Sequence, residues 1–147
     1  MAAMDSANTS SQEHDDPDQR GARFVIVGVC ASGKTTLADG LVRLGFNARS
    51  CAQEHSYVHD FWRLRCRADV LIYLEASLPV IRRRRGQNYY PITIIRERER
   101  LAHAHAHSDI VIETDDLTIQ QVLDRAVTAL RELGFGLAEA SVGRRPL

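Results

Sequence analysis

The sequence has no excess of charge of either sign, because 19 Lys and Arg residues balance 19 Asp and Glu residues over 147 positions. A chain without net charge generates no global field that would attract nucleic acid or an anionic membrane surface. It also contains no apolar run near the length of a membrane span, and its N-terminus shows no apolar secretion segment. These absences predict a cytoplasmic protein whose partners include neither a membrane nor nucleic acid.

Cysteine is scarce, and the three residues present, Cys30, Cys51 and Cys66, follow no metal-ligand spacing. An odd number of thiols in a cytoplasmic chain predicts reduced side chains in a core. Cys30 differs from the other two because it lies close to Lys34 and to a predicted helix N-terminus, both of which lower the pKa of a thiol. Redox control at Cys30 is therefore a second interpretation.

Both ends of the chain are predicted to lie outside the domain. Residues 1–21 contain no aliphatic side chain larger than methionine, which predicts a disordered N-terminal tail. Residues 136–147 are predicted to form a second loose tail. The length between them, residues 22–135, suits one domain, and no internal repeat divides it.

The most specific pattern present is Gly28–Thr36, in which a glycine, four residues and a second glycine precede lysine and threonine. The apolar, β-branched run 23–27 before it predicts a buried strand. After it, apolar residues recur at helical spacing up to Gly45, a helix stop. Strand, glycine-rich loop and helix are the setting that a phosphate-binding loop requires.

The residue types in this loop match the chemistry of a triphosphate. A helix N-terminus offers unpaired N–H groups and a positive dipole end, and glycines let the backbone wrap around a phosphate. Lys34 can reach the β- and γ-phosphates, and the Thr35 hydroxyl can hold Mg²⁺. The predicted ligand is ATP with Mg²⁺. The predicted nucleotide-binding residues of the loop are Gly28, Cys30, Ala31, Ser32, Gly33, Lys34, Thr35 and Thr36.

The rest of the domain alternates strands with helices. Strands are predicted at 46–51, 70–74 and 110–112, and helices at 57–67, 77–85, 93–107 and from Thr118, which forms a capping box with Gln121. This alternation predicts an α/β fold with a small parallel sheet covered on both faces. Ligands of such sheets bind at the carboxyl ends of the strands, where the glycine-rich loop also lies.

Glu54 follows the second predicted strand and is therefore placed at the same edge of the sheet. A carboxylate there can accept a proton from an attacking hydroxyl, or hold Mg²⁺ through water. Gln53 and His55 beside it are weaker candidates. The predicted catalytic residues also include Lys34.

Arginines surround a predicted lid at residues 82–100. Arg82–Arg85 occupy consecutive helical positions, so one or two of them would face the cleft, with Arg82 and Arg85 as the catalytic candidates. Arg98 and Arg100 alternate with glutamates and are expected to form solvated salt bridges.

The six histidines do not make a strong metal motif. His103 and His107 share a helix face and His105 does not, while His55 and His59 repeat the same spacing. Two histidines without a third ligand make only a weak zinc site. The predicted metal is Mg²⁺, held by Thr35 beside the phosphates and, as one alternative, by Glu54 through water.

The order of elements over residues 23–133 resembles the small phosphate-loop kinases of the P-loop NTPase superfamily, such as adenylate, thymidylate, gluconate, shikimate and adenylylsulfate kinase. The loop Gly28–Thr36 carries most of the resemblance. The segment 68–75, followed by Ser77 and the arginines, and the closing strand and helix carry the rest. The resemblance implies a three-layer α/β/α fold, a lid arginine, and a nucleotide base near Asp115.

The chain departs from these kinases after Glu54. About fifteen residues separate Glu54 from Asp69, where the kinases carry a helical insert and another strand. The strand 46–51 is therefore either their second strand, with Glu54 as a base, or the strand that ends at the magnesium, with Glu54 in place of the Walker B aspartate. The leading expectation is a kinase for a small metabolite or nucleotide. A nucleoside triphosphatase and a non-catalytic nucleotide sensor are the alternatives, and the acceptor and the oligomeric state stay open.

Overall fold

Four parallel strands make up the sheet of the computed structural model, which describes residues 21–136. The strands are β1 (Arg23–Gly28), β2 (Asn47–Ser50), β3 (Val70–Glu75) and β4 (Ile110–Glu113). Their order across the sheet is β2-β1-β3-β4, so β1 pairs with a strand on each side. The chain therefore has a mixed α/β fold. The predicted tails, except for Gly21 and Gly136, lie outside the described residues.

Five α-helices connect and follow these strands within the described range. They are α1 (Lys34–Arg43), α2 (Phe61–Leu64), α3 (Leu78–Arg85), α4 (Pro91–Ala106) and α5 (Ile119–Glu132), and a short 3-10 helix spans Gln53–His55. No helix in residues 21–136 is long and apolar enough to cross a bilayer.

Hydrophobic cores lie on both faces of the sheet because successive strand residues point to opposite sides. Phe24 and Ile26 of β1 face a core that includes buried residues of α1 and α5. Val25 and Val27 face a second core, to which α2, α3 and α4 contribute. All strands run in one direction, so the segments that follow β1, β2, β3 and β4 meet at one edge of the sheet.

The predicted helix 57–67 is much shorter in the structure, where α2 has only four residues. The buried side chain of Gln53 accounts for the difference. Its amide nitrogen donates to the Val58 carbonyl at 2.8 Å, and its carbonyl oxygen accepts from the Trp62 N–H at 2.8 Å. These bonds hold the backbone in a loop, since side-chain groups compete with helical hydrogen bonds. Gln53 is therefore structural, and it fixes the segment that carries Glu54.

Candidate active site

The loop between β1 and α1 turns through residues with positive φ angles. Ala31 has a φ of 62° and Gly33 a φ of 100°, and the Ser32 N–H donates to the Val29 carbonyl at 3.1 Å. The left-handed conformation carries no steric penalty for glycine and a penalty of about 1–2 kcal/mol for alanine. The loop therefore curls back on itself directly before α1 begins.

Gly28, at the end of β1, lies where a side chain cannot fit. A Cβ atom there would clash with the Leu74 carbonyl of β3 and would lie 2.7 Å from Ser32 Oγ. The close approach of the loop to β3 thus depends on glycine. The first glycine of the motif positions the loop rather than adding flexibility.

The N-terminus of α1 has no side-chain cap. Gly33 occupies the N-cap position, and no acidic residue lies in the first turn. The first N–H groups of a helix have no partner within the helix, and they sit at the positive end of its dipole. Within residues 21–136, the first N–H groups of α1 therefore have no side-chain cap at this loop, and we call this the open end of α1.

Lys34 is the only lysine of the chain, and its ammonium group folds over the loop. Its Nζ atom lies 3.1 Å from the Gly28 carbonyl oxygen and 3.3 Å from that of Val29. It also forms an ion pair with Glu54, at 2.9 Å from Oε2. The structure thus brings together the predicted cationic and acidic residues of the site.

Glu54 is almost completely buried, with 4% of its surface exposed. Oε2 pairs with Lys34 and lies 3.5 Å from His55 Nε2, whereas Oε1 is buried without a hydrogen-bond partner among residues 21–136. An unsatisfied buried carboxylate oxygen is costly, so it indicates a place for a donor or a cation. Such a group can serve a water molecule, a hydroxyl or a metal ion.

Two arginines of α3 reach the glycine-rich loop. Arg84 donates to the Ala31 carbonyl at 2.7 Å and to the Thr114 carbonyl at 3.3 Å. Arg85 lies with one guanidinium nitrogen 3.2 Å from Cys30 Sγ. Positive charge therefore stands at the loop beside the open end of α1.

Arg82, the other predicted catalytic arginine, donates instead to the carbonyl of Tyr89 at 2.9 Å and has no hydrogen bond to the loop. Arg84 belongs to the predicted group Arg82–Arg85 but was not chosen as a catalytic candidate, although a signal existed. Val80 and Ile81 are the buried residues of α3, and Arg84 lies four positions after the first and three positions after the second, on the same helix face.

Glu97 of α4 is the second site residue that sequence reasoning missed. It is 2% exposed, and its Oε1 accepts a hydrogen bond from the Cys30 N–H at 2.9 Å. The signal was its position, because Ile94, Leu101 and Ala104 are the other buried residues of α4. A carboxylate on the apolar face of a helix requires a partner, and here the partner is the loop backbone.

The thiol of Cys30 is not activated in the way that its position predicted. Burial and the negative charge of Glu97 raise the pKa of Cys30, while Arg85 and Lys34 act in the opposite direction. The prediction of a lowered pKa was wrong because it considered only the helix end and Lys34. Burial of the thiol, together with the carboxylates of Glu97 and Glu54, outweighs the effect of the positive charges on the pKa of Cys30.

A cavity of about 510 Å³ opens beside the loop. Its walls come from the loop, the start of α1, Arg84 and the segment that leads into α5. Its lining residues are Ala31, Ser32, Gly33, Thr36, Leu37, Arg84, Thr114, Leu117, Thr118, Ile119 and Val122. Asp115 is not among them, since its Oδ1 accepts the Ser77 N–H at 2.9 Å and it borders a different cavity.

The histidines of α4 take part in ring packing. The rings of His103 and His107 stack at 4.3 Å, and His59 lies 4.6 Å from His103. Trp62 Nε1 lies 3.1 Å from His103 Nδ1, and His105 packs against a tyrosine ring of β3. Burial and His107 lower the pKa of His103. This ring packing covers the tryptophan side chain.

Arg98 forms a salt bridge at 3.0 Å with Glu75 of β3, and not with the glutamates that alternate with it in the sequence of α4. Arg100 instead donates to the Glu54 carbonyl at 3.3 Å. It thereby ties α4 to the segment that carries the acidic residue of the site.

No protein-family model matches the chain, and no curated protein matches it at a significant level.

Proposed function

We propose that the loop Gly28–Thr36 binds the triphosphate of Mg-ATP and that the chain transfers the γ-phosphoryl group to a small metabolite or nucleotide. One observation carries this proposal. Lys34 is held between the loop carbonyls and a buried glutamate at the open end of α1. A lysine so placed can exchange its carboxylate partner for a phosphate without leaving the loop.

The binding part of the proposal uses the loop and the cavity together. The N–H groups of the loop and of the first turn of α1 would hold the phosphates, with Arg84 and Arg85 adding positive charge. The cavity of about 510 Å³ would hold the nucleoside against Leu37, Leu117 and Val122. This volume lies within the usual range of small-molecule sites.

The residues for magnesium are Thr35 and Glu54. Thr35 is exposed in the first turn of α1, and Glu54 has a buried oxygen without a partner in the described part of the chain. Mg²⁺, when bound, would neutralise charge that develops on the phosphoryl oxygens. Because β2 pairs directly with β1, we favour the interpretation in which Glu54 stands in for the Walker B aspartate.

The same proposal includes the way in which the helices are layered on the sheet. Cores on both faces of a four-stranded parallel sheet support a three-layer α/β/α arrangement of the P-loop NTPase kind. In that arrangement α3, α4 and the loop between them form the lid, and Arg85 and Arg84 are its best-placed cations.

In the proposed reaction, Lys34 stabilises charge on the transferring group, and Glu54 orients the attacking oxygen or accepts its proton. The lid arginines stabilise the charge that the β-phosphate oxygen gains as its bond to the γ-phosphorus breaks.

Hydrolysis is the second candidate, and the burial of Glu54 favours it. With 4% of its surface exposed, Glu54 offers no room for a metabolite-sized acceptor in this conformation, so its burial favours an acceptor as small as water. Incubation with γ-labelled ATP and a panel of metabolites and nucleoside monophosphates separates the candidates. Label on an acceptor supports the kinase, label only in free phosphate supports the hydrolase, and intact bound ATP supports a sensor.

Binding itself is tested by titration calorimetry on Lys34→Ala. We expect roughly a tenfold or larger loss of Mg-ATP affinity, because a hydrogen bond to a charged group contributes about 1.5–3 kcal/mol. The matched control is Arg43→Ala, which removes a positive charge from an exposed residue at the other end of α1. Thermal melts of both variants check folding, and unchanged affinity in folded Lys34→Ala would refute the assignment.

The single lysine offers a second test on the unaltered chain. An acyl-phosphate derivative of ATP transfers its acyl group to a nearby lysine, and Lys34 is the only lysine available. We expect labelling of the peptide that contains Lys34, with protection by excess ATP. Labelling that ATP does not reduce would contradict nucleotide binding at this loop.

A further inference from the structure

Three potential metal ligands of different chemistry converge beside the glycine-rich loop. Cys30 lies in the loop, His55 in the 3-10 helix after β2, and Glu97 on α4. One ligand atom from each lies within 4.8 Å of the others. These segments are far apart in sequence. The segments with Cys30 and His55 follow the neighbouring parallel strands β1 and β2, and α4, which carries Glu97, bonds to the loop that follows β1.

We propose that Cys30, His55 and Glu97 form a binding site for a soft divalent transition-metal ion, with Zn²⁺ as the best fit. The proposal is independent of the kinase assignment, because it rests on side chains that the nucleotide argument does not use as metal ligands. It also adds a second metal chemistry to this edge of the sheet, distinct from the all-oxygen coordination of Mg²⁺.

The geometry requires only a small contraction. Zinc bonds of about 2.0–2.3 Å to nitrogen, oxygen and sulfur place ligand atoms about 3.5 Å apart in a tetrahedron. Separations of up to 4.8 Å therefore close by about 1.3 Å at most. His55 is exposed and Cys30 is half-buried, so both side chains have room to rotate, and the exposed imidazole leaves a path for the ion.

Glu97 is already oriented for this role. Its carboxylate is 2% exposed, and Oε1 is fixed by the Cys30 N–H at 2.9 Å. A hydrogen bond of this kind holds a ligand in place before the metal arrives. The Glu97 carboxylate is thus hydrogen-bonded to the backbone of Cys30, and the Cys30 thiol would be the neighbouring ligand in the metal site.

The charges around the thiol also favour a cation. Glu97 and Glu54 both raise the pKa of Cys30, and Cys30 Sγ contacts the exposed guanidinium of Arg85 at 3.2 Å. A divalent ion would replace Arg85 as the positive partner, while a thiolate and a carboxylate would balance its charge. Glu54 Oε2 lies 3.5 Å from His55 Nε2, which adds a further acidic group next to the imidazole.

The ligand set selects the metal. A thiolate with an imidazole favours Zn²⁺ and its spectroscopic substitute Co²⁺, whereas Mg²⁺ and Ca²⁺ prefer oxygen atoms. Three protein ligands leave one tetrahedral position for water, as in open zinc sites. On binding, the Cys30 S–H bond breaks as the metal–sulfur bond forms, and the proton is released to the buffer.

The test uses the full-length, untagged chain, reduced with a phosphine that carries no thiol. Titration with Co²⁺ should produce a near-ultraviolet thiolate-to-cobalt band that saturates at one ion per chain and is removed by Zn²⁺. A pH indicator should report about one proton released per Zn²⁺ bound. No band, or a band that excess Mg²⁺ abolishes as readily as Zn²⁺ does, would overturn the proposal.

Variants assign the ligands. Cys30→Ser and His55→Gln should lose the band or weaken Zn²⁺ binding by roughly 100-fold, and Glu97→Gln by at least about tenfold. The matched controls are Cys51→Ser/Cys66→Ser, which removes the other two thiols, and His103→Gln. Both should retain the band, and a band that survives Cys30→Ser would refute the site.

Alkylation of the unaltered protein keeps the test independent of variant folding. Zn²⁺ should slow iodoacetamide modification of the Cys30 peptide, measured by mass spectrometry, and should leave the Cys66 peptide unchanged. Equal modification of Cys30 with and without Zn²⁺ would contradict the proposal even if every variant failed to fold.

Discussion

Helices α1 and α5 pack on the same face of the sheet and begin at the same edge, but their N-termini are satisfied differently. Thr118 and Gln121 close the start of α5 with a complete capping box. Gly33 leaves the start of α1 without a side-chain cap. The sequence thus completes one helix end with its own side chains and leaves the other available to an external anion. The open end is where Lys34 and Glu54 meet.

The largest expected effect comes from Gly28→Ala, which attacks the open end directly. The new methyl group would clash with the Leu74 carbonyl and crowd Ser32 Oγ, so the loop cannot keep its place. We expect loss of measurable Mg-ATP binding by calorimetry and a drop of about 1–3 kcal/mol in unfolding free energy. Gly40→Ala, which meets only the flexible Leu123 side chain, is the control. Normal ATP affinity in Gly28→Ala would show that the loop is not the binding element.

Glu54→Gln is expected to reduce the rate of phosphoryl transfer or hydrolysis by about 100-fold or more, because it removes the carboxylate that would hold Mg²⁺ through water or accept the proton. ATP affinity should stay within a few-fold, since the amide can still donate to or accept from neighbouring groups. Phosphate release measures the rate. Glu113→Gln, an exposed carboxylate at the same edge of the sheet, should retain activity. A full-rate Glu54→Gln enzyme would exclude Glu54 from the chemistry.

Gln121→Ala tests the closed helix end. It removes the side chain that accepts the Thr118 N–H at 2.8 Å, so α5 should lose about 0.5–1 kcal/mol of stability in urea unfolding. Mg-ATP affinity should not change, because Gln121 does not line the cavity beside the loop. If Gln121→Ala lowered both the Mg-ATP affinity and the stability, the capped end of α5 would also contribute to nucleotide binding.

The smallest effect concerns two thiols. Cys30 at the open helix end has a raised pKa, whereas the hydrogen bond from Cys51 lowers the pKa of Cys66 to about 7. The Cys66 thiolate should therefore form above about pH 7 and disappear as the pH falls below it. Ultraviolet thiolate absorbance across this range measures the change. Cys51→Ser should move the transition to higher pH, and Cys30→Ser should leave it in place.

The elements that depend on local sequence were predictable. Strand β3, the loop into α1 and the α5 capping box follow from apolar runs, glycine spacing and side-chain caps. The contacts that complete the site were not predictable in the same way. Gln53 shortens α2, Glu97 bonds to the loop, and Cys51 lies 2.7 Å from Cys66 only because the chain folds on itself. Distant partners decide these contacts. Helical periodicity can place Glu97 on the apolar face of α4, but it cannot identify the group that Glu97 binds.

The Cys30 N–H already donates a hydrogen bond to the carboxylate of Glu97. An anion that binds this N–H group must therefore displace Glu97, which belongs to the sixteen-residue helix α4. Anion binding at the loop and the packing of α4 against the loop are then coupled. The measured affinity for such an anion would include the free energy of breaking the contact between α4 and the loop. A more stable contact would therefore lower the affinity of the loop for the anion.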